Sequence, residues 1–415
     1  YVLTVDANGE AGWEAAAGGG LSSDSDGNTV GGTNAGNSIT SGSGLYNTVF
    51  GYDAGTDITT SDGNTFYGYN AGKDISTGGG YNTFLGFKAG ESAANNDGYS
   101  TFIGSKAGNS ITTGYYNTIV GANAGDALST GSNNEVYGTS CMGNATTGSG
   151  NTAVGRSACQ NLTTGSYNQA FGNNAMGAGV VTGQDNIGLG RNALHVLTSG
   201  DSNVALGAYA GDAITTGDKN VAIGYNALGS STTPSSNIGI GYNAGGNITT
   251  AVENVIVGAF AGDQITTGNN NSIYGFDAGT AVTTGYSNCL FGTNAGKAIT
   301  TGDKNICIGH NAANGDITTG DNNIVIGYDT EPSTNSTSNE VTIGDSNITK
   351  FRIPGISFSI SAHAVSNGGV FYENAQTVSS DYTITSGNNA MSAGPITINN
   401  GITVTVPSNS TLTIV

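Results

Sequence analysis

The chain has 415 residues, of which 70 are Gly, 5 are Pro and 9% are charged, whereas an ordinary soluble domain has roughly 25% charged residues. Glycine without a three-residue period excludes collagen, and hydrophobic residues at 36%, recurring at regular places, exclude a disordered chain. Ten Lys and Arg against 29 Asp and Glu give a formal charge of −19, which disfavours binding to nucleic acid or to an anionic membrane surface.

The first part of the chain, residues 1–27, is interpreted as an entry or connector segment. No apolar run along the chain approaches the roughly 20 residues of a membrane span, so we expect no membrane insertion. No signal peptide opens the chain either. Because the sequence begins at Tyr1, it is read as a processed product or part of something longer.

Residues 28–345 repeat one phrase 19 times. Each copy reads Asn, a Thr or aliphatic, two apolar residues, Gly, two variable residues, Ala, often Gly, a polar pair, an aliphatic and Thr-Thr-Gly. Of the 18 intervals between the glycines that close the apolar triplets, 13 are 17 residues long, four are 18 and one is 19. These repeat glycines include Gly155, Gly224, Gly258, Gly292 and Gly309.

Seventeen residues are too few for two helices and their turns, but they suffice for two short strands and two turns. The apolar triplet predicts one strand, and the aliphatic before Thr-Thr-Gly predicts a second. Such a unit cannot bury its own apolar face, so it stacks on its neighbours. The sequence therefore predicts an all-β fold, a parallel β-roll or β-solenoid of about 19 coils. Gly supplies the positive φ of its corners.

Asn opens 17 of the 19 phrases. In a parallel stack the amides lie about 4.8 Å apart, close enough to hydrogen-bond as a ladder. We assign a structural role in this ladder to the whole column, with these representatives: Asn151, Asn220, Asn254, Asn288 and Asn305.

The apolar triplet presents side chains to both faces of its strand, because its second and fourth positions point one way and its third the other. A thin coil has room inside for only one of these faces. The other face needs cover, and another copy of the same chain is the simplest partner, so we expect a symmetric oligomer.

Little in the sequence suggests catalysis or metal binding. The four cysteines Cys141, Cys159, Cys289 and Cys307 have no zinc-site spacing, and Cys289 and Cys307 should point to opposite faces, which disfavours a disulfide between them. We expect no enzyme and no cofactor, with calcium at coil corners as the alternative. The other residues considered are three histidines and three carboxylates, interpreted as structural or exposed: His195, His310, His363, Asp212, Asp263 and Asp303.

Periodicity stops after Gly344, and residues 346–415 are predicted to form a small β-rich cap or knob. Aromatic residues enter this nonrepetitive stretch, and they either seal the open end of the solenoid or contact a receptor. The candidates for receptor binding are Phe351, Phe358, Phe371, Tyr372 and Tyr382.

Phrases such as "NVAIGYNAL" and "NTAVGRSA" resemble the head repeats of trimeric autotransporter adhesins (the YadA-like head). That resemblance covers about residues 28–345 and implies a left-handed parallel β-roll that trimerises through its apolar strands, although the coils here are longer. The opening "YVLTVDANGEAGWEAAAGGG" and "ITKFRIPG" at 348–355 resemble segments of phage tail-fibre proteins. The ending from "GGVFYENAQ" onward is similar to a terminal module on structural proteins of marine phages, including those of cyanobacteria.

These resemblances imply a structural fibre of a phage virion, extracellular, that projects a terminal module for attachment to the host surface. The partners expected are further copies of the chain, other virion tail proteins, and a host cell-surface glycan or protein. The alternatives are a bacterial trimeric surface adhesin or extracellular filament subunit and, more distantly, a polysaccharide depolymerase of the tailspike type. The threonine columns also suggest ice binding as an alternative function. The two threonines of each pair are adjacent, however, so one of them should turn inward, which disfavours this function.

Overall fold

The structure is a computed structural model that describes residues 2–5, 11–14, 22–94, 98–315, 317–352, 359–361 and 376–415. Its regular elements in these ranges are all β-strands. The first strands are β1 (Val2–Val5), β2 (Ala11–Glu14), β3 (Ser22–Ser23), β4 (Thr29–Gly31), β5 (Thr48–Phe50), β6 (Thr65–Tyr67), β7 (Thr83–Leu85), β8 (Thr101–Ile103), β9 (Thr118–Val120), β10 (Glu135–Tyr137), β11 (Thr152–Val154), β12 (Gln169–Phe171), β13 (Ile187–Leu189), β14 (Val204–Leu206) and β15 (Val221–Ile223).

The remaining strands are β16 (Ile238–Ile240), β17 (Val255–Val257), β18 (Ser272–Tyr274), β19 (Cys289–Phe291), β20 (Ile306–Ile308), β21 (Ile324–Ile326), β22 (Val341–Ile343), β23 (Lys350–Arg352), β24 (Ser359–Ser361), β25 (Thr377–Val378), β26 (Tyr382–Thr383), β27 (Asn389–Ser392), β28 (Thr397–Ile398), β29 (Val404–Thr405) and β30 (Thr411–Ile414). The chain divides into two compact units, Tyr1–Ile343 and Gly344–Val415.

The first unit is a parallel β-solenoid, which confirms the predicted fold class. Strands β4 to β22 pair in chain order, each parallel to the equivalent strand of the next coil. The register follows the repeat, so that Val204 lies beside Val221 and Leu206 beside Ile223. At about 4.8 Å between neighbouring strands, the 19 strands extend over roughly 90 Å.

The predicted second strand of each coil is wrong. The aliphatic before Thr-Thr-Gly mostly lies in irregular backbone and the threonines mostly in bends, and among the described residues Leu162 and Val181 alone form an isolated parallel bridge there. The N–H groups of both Thr266 and Thr267 donate to the carbonyl of Thr283, at 2.9 and 3.4 Å. Because two donors converge on one acceptor, the even spacing of a parallel ladder is lost.

The core lies inside the coil and is built from three columns of side chains. The third position of the phrase, which is the middle of each strand, is buried; the eighth position contributes the repeating Ala; and the twelfth contributes the aliphatic before Thr-Thr-Gly. The interior therefore takes the third position, while the second and fourth positions face outward. Members of the three columns include Phe84, Ile256, Ala89, Ala261, Ile111 and Ile265.

The repeat glycines are required for two reasons. Gly155 and Gly224 have φ values of 133° and 127°, a region that side chains other than hydrogen disfavour. A Cβ at Gly155 would also lie 2.6 Å from the carbonyl oxygen of Gly172, and one at Gly224 would lie 2.5 Å from that of Gly241. The column thus lets consecutive coils pass each other backbone to backbone.

The second unit contains two short coils of its own. The first coil contains β25, β26 and β27, and these strands pair in parallel with β28, β29 and β30 of the second coil. Paired residues are farther apart in the sequence than in the first unit, as in the pair of Tyr382 and Val404. Among the described side chains of this unit, Ile384 alone is buried. The β-rich character predicted for this region is confirmed.

Candidate interaction surfaces

The outward face of the strands changes character along the solenoid. Its second position is Thr in the strands β5 to β9, and it is Ile or Val in nearly all strands from β13 to β22. Its fourth position is Gly31 in β4 and is large and apolar from β5 to β22, with exposures of 49% at Leu189, 47% at Phe291 and 41% at Ile308. The described residues leave this outward face uncovered along the solenoid.

Exposed aromatic rings flank the Thr-bearing part of that face. Tyr52 and Tyr69 stack with ring centroids 5.5 Å apart, and Tyr69 stacks on Phe87 at 5.3 Å. On the other side of the strands, Tyr81 and Tyr99 stack at 5.4 Å. The coil rise therefore sets the ring spacing, and each ring shields part of its neighbour from water.

The asparagine column forms a buried hydrogen-bond ladder. The backbone N–H and the Nδ2 of Asn220 donate to Oδ1 of Asn203 at 3.0 and 2.9 Å, and Nδ2 also donates to the carbonyl of Pro234 at 2.8 Å. The equivalent pair of bonds from one asparagine to the preceding one is made by Asn151, Asn254, Asn288 and Asn305.

The ladder continues where Asn is replaced. The N–H of Ser100 donates to Oδ1 of Asn82 at 3.0 Å, and Ser100 Oγ accepts the N–H of Asn117 at 3.3 Å. The N–H of Glu340 donates to Oδ1 of Asn323 at 3.0 Å. Because the side chains of the column from Asn47 to Asn323 are buried, they hold the coils together and present no functional group to solvent.

The four cysteines are free thiols. Cys307 is buried in the core and Cys289 is half-buried on the outward face, as their alternate positions in the phrase predict. Burial raises the pKa of Cys141 and of Cys307 to about 12, and it raises the pKa of Cys159 as well. These three thiols stay protonated at neutral pH and are poor nucleophiles.

The histidines do not converge on a nucleophile among the described residues. His195 Nδ1 lies 3.1 Å from the carbonyl oxygen of Asn174. His310 stacks on Tyr328 and has Nδ1 3.9 Å from Oδ1 of Asp329. His363 lies outside the described residues.

The three carboxylates occupy two different places. Asp303 sits at a corner, where its Oδ1 accepts the N–H of Tyr286 at 2.9 Å. Asp212 and Asp263 precede the aliphatic column, and burial raises the pKa of both.

Within the described part of the chain, no three His, Cys, Asp or Glu side chains are grouped to hold a metal ion. In the same residues no helix is long and apolar enough to cross a bilayer.

One of the five aromatic receptor candidates is described with its side chain. Tyr382 is 58% exposed and lines a cleft of about 210 Å³ in the second unit, together with Val378, Met391, Val404 and Leu412. Phe351 lies in β23, whose side chains are not described, and the remaining three, Phe358, Phe371 and Tyr372, lie outside the described residues.

The sequence interpretation missed the polar corner groove near the end of the solenoid. It has a volume of about 440 Å³ and includes Tyr286, Asp303, Lys304 and Asp321. The signal was present, because these residues fill the two positions before Asn in consecutive copies. Those positions vary along the chain, however, so they are not part of the repeat pattern that indicates structure.

The comparisons with known proteins give no relative. The chain matches no protein-family model, and no curated protein and no solved structure is significantly similar to it.

Proposed function

We propose that this chain is a structural subunit of a phage tail fibre or other virion appendage and works outside the cell. The observation that carries the proposal is the uninterrupted stack of 19 parallel strands, held by a buried asparagine ladder. Each coil is tied to the next by backbone bonds and amide bonds, so the solenoid resists bending and extension. A part that spans distance needs this property and needs no catalytic centre.

The proposed fibre is a homotrimer. Its support is the outward face, where apolar side chains such as Leu189 and Phe291 remain nearly half exposed in the single chain. A contiguous apolar face of this length is typical of an association surface. Three chains would carry a formal charge of 3 × −19 = −57, which keeps assembled fibres from adhering to one another.

Attachment to the host is assigned to the second unit. Its cleft carries Tyr382 and Met391, which are 58% and 72% exposed. An exposed aromatic ring beside apolar walls suits contact with a surface glycan or protein. Three copies in one fibre would bind together, so that individually weak contacts give a strong attachment. Other virion tail proteins are the remaining partners proposed for the chain.

A bacterial surface adhesin is the second candidate, because the repeat phrase resembles that of autotransporter heads and the same rigid solenoid would serve it. Labelling with an antibody against the full chain separates the two. Gold label on isolated virions supports the phage fibre, whereas label on bacterial cells and none on virions contradicts it.

The trimer is tested by analytical ultracentrifugation of the full chain. We expect the mass of three chains for the unaltered protein, and single chains after Ile240→Asp with Val257→Asp, which put charge on the outward face. The matched control is Thr250→Asp with Thr267→Asp, on exposed positions of the same coils away from that face. A single-chain mass for the unaltered protein, or equal dissociation of the control, contradicts the proposal.

A further inference from the structure

The polar corner groove follows the turns that lead into four consecutive strands, β19 to β22. It is lined by residues from the two positions before the asparagine column: Tyr286, Asp303, Asp321 and Ser338 from the first position, and Lys304, Asn322 and Asn339 from the second. The volume of about 440 Å³ falls within the range of about 300–1,000 Å³ common for small-ligand sites.

The two carboxylates of the groove are held in fixed orientations. Oδ1 of Asp303 accepts the N–H of Tyr286 at 2.9 Å, and Oδ1 of Asp321 accepts the N–H of Asp303 at 2.8 Å. Ser338 Oγ continues the series by accepting the N–H of Asp321 at 2.9 Å. Oδ2 of each aspartate takes no part in these bonds. Since the side chains are already ordered, a ligand that binds Oδ2 loses little affinity to their immobilisation.

An aromatic ring and two amides complete the groove. Tyr286 is 41% exposed, and Lys304 Nζ lies 5.8 Å from the centre of its ring. Nδ2 of Asn322 donates to Oδ1 of Asn339 at 2.8 Å. The groove thus offers an aromatic surface, charged acceptors and amide groups at intervals set by the coil rise.

This combination selects one ligand chemistry. Carboxylate oxygens bind hydroxyl groups strongly, amides both donate and accept, and an aromatic ring packs against the C–H face of a pyranose. An anionic ligand would be repelled by the two carboxylates, which outnumber the one cation of the groove, Lys304, and by the net charge of −19. We propose that the corner groove binds a short, uncharged oligosaccharide. This site lies on the solenoid itself and does not depend on the fibre role or on the trimer.

The test uses saturation-transfer difference NMR on the full chain with maltotriose, cellotriose, lactose and N,N′-diacetylchitobiose as probes. We expect saturation transfer to at least one sugar. Asp303→Asn with Asp321→Asn should weaken its binding at least tenfold, since charged hydrogen bonds to hydroxyls are replaced by neutral ones. Each Asn keeps an Oδ1 acceptor for the backbone, so the corner should remain folded. Tyr286→Ser should weaken binding as well.

The matched control is Asp201→Asn with Asp218→Asn. These aspartates occupy the same column and make the same bonds, with Oδ1 accepting the N–H of Gln184 at 2.7 Å and of Asp201 at 2.8 Å, but Gln184 stands where the groove has Tyr286. Binding should be unchanged in this control. The proposal is overturned if no probe binds, or if both pairs of substitutions weaken binding equally.

Discussion

Two stretches of the solenoid fill the same interior with opposite choices of side chain. In the aromatic segment, residues 65–110, the third position of the phrase is Phe and the ninth is Gly. Phe66, Phe84 and Phe102 are fully buried and stack with centroids 4.9 and 4.4 Å apart. A Cβ at Gly72 would lie 2.7 Å from the ring of Phe66, so the ring itself occupies the space that a ninth side chain would need.

In the small-residue segment, residues 152–245, the third position is Ala or Gly, and in four of the six coils the ninth residue is larger than Gly and buried in the interior. Met176 and Leu228 are buried and have φ values of 50°, in the region that glycine occupies elsewhere in the column. A Cβ at Gly188 would lie 3.1 Å from Met176 Cε, and one at Gly239 would lie 2.8 Å from Leu228 Cγ. The coil keeps its cross-section, and the volume moves from one wall to the other.

The backbone, and not any single column, is therefore the constant of the repeat. A ninth residue other than Gly adopts a positive φ at a cost of about 1–3 kcal/mol, and its burial offsets that cost. Close packing requires that the third and ninth columns fill the interior together across neighbouring coils, as Leu228 does beside Gly239 of the next coil.

The largest expected effect comes from breaking the aromatic segment. Phe84→Ala removes a ring from the middle of the stack, and the glycines of the ninth column offer nothing to fill the space. We expect a loss of about 3–5 kcal/mol in local stability, measured as faster amide hydrogen exchange in β7. Adding Gly90→Met copies the solution of the small-residue segment and should restore part of the protection. No restoration would contradict the exchange of volume between columns.

The corresponding substitution in the small-residue segment should reduce local stability by less than Phe84→Ala does. Leu228→Ala removes a smaller side chain, so we expect a loss of about 2–3 kcal/mol in the protection of β15 and β16. Combining it with Gly239→Val supplies volume from the opposite wall and should recover part of that loss. If the double variant were less protected than Leu228→Ala alone, the two columns would not share one space.

Loss of one asparagine from the ladder should destabilise the aromatic segment and the small-residue segment equally. Asn64→Ala and Asn220→Ala each leave buried donors of the next coil without an acceptor, at a cost of about 2 kcal/mol. We expect equal changes in thermal unfolding. Asn220→Ser is the control and should cost less, because Ser100 already fills this position with an accepting hydroxyl. A difference of more than about 1 kcal/mol between the two alanine variants would show that the ladder depends on its core.

The smallest effect concerns the tenth position, which is Glu91 in the aromatic segment and Asp212 in the other. Burial favours protonated Glu91, but hydrogen bonds from Asn70 and Lys88 outweigh it and lower its pKa, whereas burial raises the pKa of Asp212. The contribution of Glu91 is present above its usual pKa and lost as pH falls through the lowered value. That of Asp212 is present below its usual pKa and lost as pH rises through the raised value.

At pH 7, therefore, Glu91→Gln should lower the melting temperature and Asp212→Asn should raise it. Both changes should stay within about 1 kcal/mol, because these groups are partly exposed to solvent. Melting curves recorded from pH 7 down to pH 3 test the sign. Shifts in the same direction for both variants at pH 7 would contradict this account.

Much of the first unit follows from the sequence because its contacts repeat. The 17-residue spacing gives the period, and the burial of Asn220 and the corner of Gly224 follow from copies that must stack in register. The prediction of a second strand was wrong although threonine has a high strand propensity. The N–H groups of Thr266 and Thr267 both donate to the carbonyl of Thr283, so they do not form a regular parallel ladder. Propensity does not encode where a neighbouring coil places its acceptors.

The candidate surfaces were less predictable. Tyr382 was named because it is an aromatic residue in the nonrepetitive stretch after Gly344, but its cleft with Met391 depends on the parallel pairing of two short coils that share no repeat phrase. The corner groove depends on Asp303 and Asp321 lying one coil apart with their Oδ1 atoms bound to the backbone. Neither arrangement has a periodic signal.

The repeat pattern was enough to predict that similar coils stack on one another, that asparagines and glycines form columns, and that each strand has one face inside the coil and one outside. The three-dimensional structure was needed to show that the third position faces inward, that each coil has a single strand, and which corner residues share a groove. Periodicity specifies contacts between equivalent positions. Contacts between different positions depend on how the turn folds in three dimensions.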